Sequence, residues 1–157
     1  MQTRRATAED AAPAAELYLR ARHGAVPAIP PLVHDNDDVR RWFRDVVVTE
    51  RELWVAEDGE AGIVGVLVLH EDWLDQLYVE PGLTGRGVGA ALVDVAKRER
   101  PQGLQLWAFQ SNLEALRFYA DHGFAEVQRT DGSGNEEHAP DVRLVWPAPD
   151  SEGAERV

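Results

Sequence analysis

What this chain can fold into is constrained most by residues 74–97, L-D-Q-L-Y-V-E-P-G-L-T-G-R-G-V-G-A-A-L-V-D-V-A-K. Leu74, Leu77, Tyr78 and Val79 form a short apolar run with a β-branched end, the signature of a strand. Pro81-Gly82 ends it with a turn signal, and Gly85, Gly87 and Gly89 follow. Val88, Ala91, Leu92, Val95 and Ala96 then repeat at the spacing of a helix packed on a sheet. A strand, a glycine-rich loop and a helix in that order leave backbone N–H groups unpaired at the positive end of the helix dipole. Glycines let a bulky anion approach that backbone, so a phosphate or pyrophosphate is the natural ligand.

Three readings of the loop stand side by side. Its glycines can serve only a tight turn that needs φ > 0. Gly85, Gly87 and Ala90 also fit G-x-G-x-x-G/A, the dinucleotide fingerprint. That fingerprint calls for an acidic residue at the end of the next strand, and the next candidate, L-Q-L-W-A-F at residues 104–109, carries none. Thirdly, Thr84-Gly85-Arg86-Gly87-Val88-Gly89 resembles the R/Q-x-x-G-x-G/A motif of the Gcn5-related N-acetyltransferases, with Thr84 in place of Arg or Gln. The preceding L-Y-V-E-P is similar to that family's fourth strand and its turn.

The remaining elements are read from pattern. A strand near Thr3 leads to a helix through Ala11 and Arg22, with Pro13 harmless in its first turn and Gly24 at its end. Residues 25–34, A-V-P-A-I-P-P-L-V-H, are apolar yet too rich in proline for helix or interior strand, and must lie on the core or over a cleft. Asp35 or Asn36 caps a second helix through Val39, Trp42 and Phe43. Strands at residues 52–56 and 63–69 form a hairpin before the strand at Leu74. Residues 104–109 return parallel to that strand through a right-handed crossover. Ser111, with Glu114, signals a capping box for the last helix, and two strands close the chain. The order is β-α-α-β-β-β-α-β-α-β-β, a mixed α/β fold, mostly antiparallel with one parallel crossover. It matches the acetyltransferase fold to about Trp146. Residues 1–146 are expected to form a single domain, and residues 147–157 a disordered tail.

Composition narrows the function. With no cysteine among 157 residues there is no disulfide and no thiolate nucleophile. No apolar run approaches the length of about 20 residues that spans a bilayer, and residues 1–10 lack a signal-peptide core, so a cytoplasmic protein with no membrane partner is expected. Lys and Arg number 16 against 28 Asp and Glu, a net charge of −12 that argues against nucleic-acid binding and suits a cationic amine. His23, His34, His70, His122 and His138 are scattered, so no metal site is expected.

A second segment, N-L-E-A-L-R-F-Y-A-D-H-G-F from Asn112, resembles the family's N-x-x-A-x-x-F-Y-x-x-x-G-F. Helical spacing sets Asn112 and Tyr119 on one face. The resemblance implies an acetyl-coenzyme A-dependent N-acetyltransferase acting on a primary amine, small-molecule or peptide, with a homodimer allowed. The alternative is an inert acyl-coenzyme A-binding regulatory module. It further implies that the coenzyme lies on Leu77, Tyr78, Val79, Thr84, Gly85, Arg86, Gly87, Val88, Gly89 and Ala90, with Asn112 beside it and Tyr119 at the departing thiolate. Residues 23–38, including His23 and Val33, would then line the acceptor site. For the base, alternation puts Asp75 on the strand face of Leu77 and Val79, while Glu71 and Asp72 stand at the strand's mouth. Asp75, Glu71 or a water relay could each serve, and the three carboxylates form an acidic mouth for a cationic amine. Gly87→Glu should fill the anion site with bulk and negative charge; calorimetric titration with acetyl-coenzyme A is expected to show binding abolished.

Overall fold

The computed structural model describes residues 1–149; from residue 150 onward the tail expected to be disordered lies outside them. Seven strands form one sheet in the order β1-β2-β3-β4-β5-β7-β6. They are β1 (Gln2–Arg5), β2 (Glu52–Asp58), β3 (Gly62–His70), β4 (Trp73–Val79), β5 (Leu104–Phe109), β6 (Ala125–Thr130) and β7 (Asp141–Trp146). The helices are α1 (Ala11–Gly24), α2 (Asn36–Trp42), α3 (Val48–Glu50), α4 (Val88–Glu99) and α5 (Leu113–Asp121). A π-helical turn, Phe43–Val47, joins α2 to α3. Only β4 and β5 run parallel, as the mixed sheet expected from the pattern requires. No helix among the described residues is long and apolar enough to cross a membrane.

Alternation along the strands feeds two cores, one on each face of the sheet. Leu53, Val55, Val66 and Val68 pack against Leu17, Tyr18 and Phe43 of the first helices. Leu67, Leu69 and Leu106 pack against Val88, Leu92 and Val95 of α4 and Tyr119 of α5. Asp35 caps α2 by accepting from Asp38 N at 2.8 Å. The last helix corrects the expected cap: Asn112 Oδ1, not Ser111, accepts from Ala115 N at 3.2 Å. Ser111 Oγ instead donates to Ala28 O at 2.6 Å, pinning the proline-rich loop to the β5–α5 turn. Lys97 Nζ, at the end of α4, donates to His122 O at 2.6 Å and stands 5.0 Å from the Trp146 ring centre. That contact ties the C-terminal ends of α4 and α5 together.

Two irregularities set β4 apart from a regular strand. Its pairing with β3 slips, Leu74 facing Leu69 and Gln76 facing Val68, so Asp75 is a bulged residue with no partner. Its parallel pairing with β5 holds at one position, Trp73 with Gln105, where Gln105 N donates to Asp72 O at 3.0 Å. Beyond that point the two strands diverge.

Gly65 on β3 lets α4 settle onto the sheet. A Cβ there would stand 2.7 Å from Val88 Cγ1 and 2.9 Å from Leu92 Cδ1. Gly65→Val is therefore expected to cost about 1–3 kcal/mol of stability by overpacking, read from urea unfolding.

Candidate active site

The loop after β4 is built for a close-lying ligand. Gly82, Gly85 and Gly87 have φ of 91°, 78° and 86°, the region that side chains disfavour. A Cβ on Gly85 or Gly87 would meet nothing within 4 Å, so the space above them is open. The first hydrogen bond of α4 runs from Ala91 N to Gly87 O at 3.0 Å, leaving the N–H groups of Val88, Gly89 and Ala90 without an intrahelical acceptor. A groove of about 610 Å³ runs over this turn, walled by Leu77 and Val79 of β4, Thr84, Gly85, Gly87 and Ala90 of the loop, and Asn112, Ala115 and Phe118 of α5. A phosphate-bearing ligand fits that cradle, because it needs backbone donors and space rather than side chains. Of the residues expected there, Val88 points its side chain into the core and is 5% exposed, and the Arg86 side chain is not among the groove's walls.

Where β4 and β5 part, a narrow cavity of about 100 Å³ opens between them. Leu77, Tyr78, Leu106, Ala108, Asn112 and Tyr119 are among its walls, so Asn112 and Tyr119 meet there as their spacing predicts. Tyr119 is 7% exposed and wedged edge-on between Phe118 and Phe124, with ring centres 5.2 Å away in both cases. Burial, with the neighbouring Tyr78 phenol, pushes its hydroxyl well above the ordinary phenol range, so it remains protonated at neutral pH. Asn112 spends its carbonyl oxygen on the α5 cap, and its amide N–H₂ has no partner among the described residues.

Two larger cavities lie on the other side of the diverging strands. The first, about 660 Å³, is lined by Asp75, Gln76 and Tyr78 of β4, Trp107 of β5, Arg22 of α1, and Ser133, Asn135 and Glu137 of the β6–β7 loop. The second, about 460 Å³, lies between α1, α2 and residues 32–34, with Tyr18, Trp42 and Val33 in its walls.

The bulge overturns the expected placement of Asp75. The alternation that would align it with Leu77 and Val79 is broken, and its carboxylate reaches the Arg22 cavity, 4.0 Å from Arg51 Nε. Asp75 also lines the narrow cavity between the strands. Although the side chain is partly exposed, its desolvation beside the strands raises its carboxyl above the ordinary value, against the pull of Arg51 and His70.

The rest of the acidic mouth is not brought there. Asp72 Oδ2 accepts from Gln105 Nε2 at 3.0 Å, and Glu71 lies 3.3 Å from His70 and passes its carbonyl to Arg100. Neither lines these cavities. His23 is exposed and bonded to Asn36 at 2.9 Å, whereas Val33 does line the second cavity.

Sequence reasoning missed Arg22 and Glu137. Arg22 reads as a last-turn helix arginine, and Glu137 sits in a polar connection that carries no motif. Among the described residues no cluster of three or more His, Asp or Glu side chains is placed to hold a metal ion.

With this geometry, similarity to known proteins becomes informative. Residues 49–126 match the model of the acetyltransferase (GNAT) domain. An amino-acid acetyltransferase of Mycobacterium tuberculosis is 34% identical over 125 residues, covering 71% of this chain and 69% of that protein. The peptidyl-lysine N-acetyltransferase YjaB of Salmonella typhimurium is 31% identical over 98 residues, covering 62% and 67%. The solution structure of apo YjaB from Escherichia coli shares the fold with a TM-score of 0.72 at 23% identity, over 94% of this chain and 98% of that one. The chain belongs to the Gcn5-related N-acetyltransferase family, acyltransferases that use acetyl-coenzyme A to acetylate an amine.

Proposed function

We propose that this chain acetylates a small primary amine by direct attack of the amine on acetyl-coenzyme A within a ternary complex. The observation that carries the reading is the opening between β4 and β5. It shares Leu77, Asn112 and Ala115 with the glycine groove, and Asp75, Gln76 and Trp107 with the Arg22 cavity. Tyr78 borders all three. An acyl donor held in the groove would present its thioester where an amine in the cavity can reach it. The inert-module alternative is not favoured, since the relatives are named for acetyl transfer.

The residues divide the work. The free N–H groups at the start of α4 hold the coenzyme's phosphates, and those along β4 take its amide groups and the thioester carbonyl. Asp75, with its raised pKa, accepts the proton that the ammonium must lose before attack. Tyr119, held protonated by burial, donates a hydrogen bond to the departing thiolate. Its raised pKa favours that hydrogen bond over complete proton transfer, because the departing thiol is a stronger acid than this phenol. Release of free thiol from acetyl-coenzyme A, followed across a panel of amines, tests the reading as a whole; no release with any amine would sink it.

Two variants test the roles. Tyr119→Phe is expected to lower kcat about 10–100-fold, the worth of one hydrogen bond to a charge, with coenzyme affinity retained. Equal turnover under chemistry-limited conditions would remove the hydroxyl from the mechanism. Asp75 acts only when ionised, so kcat/KM should climb as pH rises through its elevated pKa. Asp75→Asn should lower kcat/KM by about 10² or more and abolish that acid limb. An unaltered pH profile would leave deprotonation to water.

A further inference from the structure

The two cavities beyond β4 share a wall made by Arg22, Gln76 and Glu137. Arg22 is 5% exposed, and its guanidinium is held mainly by neutral groups: Nη1 donates to the Tyr18 hydroxyl and Nη2 to Pro30 O, both at 3.2 Å. Nε has no partner. The one carboxylate paired with it among the described residues, Glu137 Oε2, stands 3.8 Å from Nη2, outside hydrogen-bond distance. Glu137 in turn accepts no hydrogen bond among the described residues, although its side chain is only 16% exposed. A cation and an anion taken from water are normally joined by short charge-assisted hydrogen bonds, because burial without them is costly. Here each is left with binding capacity to spare, side by side, between two cavities.

We infer that Arg22 and Glu137 form a receptor for the zwitterion of a free α-amino acid, and that the acceptor amine is such an amino acid with a large apolar side chain. The inference rests on the acetyl-transfer reading above and names its acceptor. In an α-amino acid the carboxylate and the ammonium flank one carbon, so the first can bind Arg22 while the second binds Glu137. The ammonium then faces the cavity that Asp75 lines, where it loses its proton to that carboxylate. The second cavity receives the side chain: Tyr18, Leu32, Val39 and Trp42 give it an apolar and aromatic wall, and His34, Asp38 and Glu136 line the rest. A lysine side chain within a peptide, or a polyamine, brings no carboxylate next to the reacting amine and leaves Arg22 as it is.

Three acceptors with one aromatic body isolate the carboxylate: L-phenylalanine, L-phenylalaninamide and phenethylamine. They are compared by free-thiol release at neutral pH, where the ammonium form that Glu137 would bind is present, with each kcat/KM corrected for the fraction of that acceptor in the ammonium form. The free acid is expected to exceed the other two in kcat/KM by about 10–100-fold, the worth of a hydrogen-bonded ion pair. Phenylalanine should also exceed glycine. Arg22→Met should collapse the acid-to-amide ratio toward one, and Arg22→Lys should restore part of it. Should Arg22→Met fail to fold, the wild-type ratio decides alone. Acetyl-coenzyme A binding by calorimetry separates the two levels: no binding overturns the parent reading and this one with it. Binding accompanied by equal rates on acid, amide and amine, by no acetylation of phenylalanine, or by preference for glycine overturns the amino-acid receptor alone.

Discussion

The site depends on a parallel ladder that starts and then stops. Gln105 N reaches Asp72 O, the parallel ladder of β4 and β5 lasts for one register position, and the strands then part. Backbone amides left unpaired inside a fold are costly. A sheet can open this way only where other polar groups take the place of the missing ladder, and an extended ligand with its own amides is one such group. The glycine loop, α4 and α5 are arranged around that opening. Gly65 lets α4 sit close enough to the sheet to hold the loop beside it, and the Lys97 contact keeps α4 and α5 together at their far ends.

The bulge at Asp75 does for the Arg22 cavity what the opening does for the glycine groove. Without it, strand alternation would send that carboxylate toward the α4 and α5 face with Leu77 and Val79. With it, one face of β4 supplies apolar residues to the core while Asp75, Gln76 and Tyr78 all reach the Arg22 cavity. The same insertion turns the carboxylate toward that cavity, where partial desolvation raises its pKa.

Much of this was legible in the sequence. Element order, the parallel crossover and the glycine turn were readable because each rests on local periodicity or on residues with a restricted backbone role. The position of Tyr119 relative to Asn112 came from helical geometry. What escaped depends on contacts between distant segments. Nothing in W-L-D-Q-L marks a bulge, since the slip is defined by the partners Val68 and Leu69 on another strand. Ser111 and Asn112 are both good caps, and only the presence of Ala28 O near Ser111 separates them. Arg22 and Glu137 are far apart in the chain, one in a helix end and one in a loop, and neither pattern hints at the other. The acidic mouth failed for a similar reason: Asp72 and Glu71 are close to Asp75 in sequence but are engaged by Gln105, Arg100 and His70.

The proline-rich loop has a wider reach than its length suggests. Ile29 borders the glycine groove and the opening between the strands, Pro30 O holds Arg22, and Leu32 and Val33 wall the second cavity. Its carbonyl at Ala28 is fastened to Ser111 at the head of α5. One short segment thus borders the glycine groove, the opening between the strands and the second cavity. Any free energy by which the first ligand settles this segment is available to the second, and by linkage the coupling is the same in either direction. A ligand in the groove and one in the second cavity are then not independent: the affinity for each depends on whether the other is in place, through a loop that touches both.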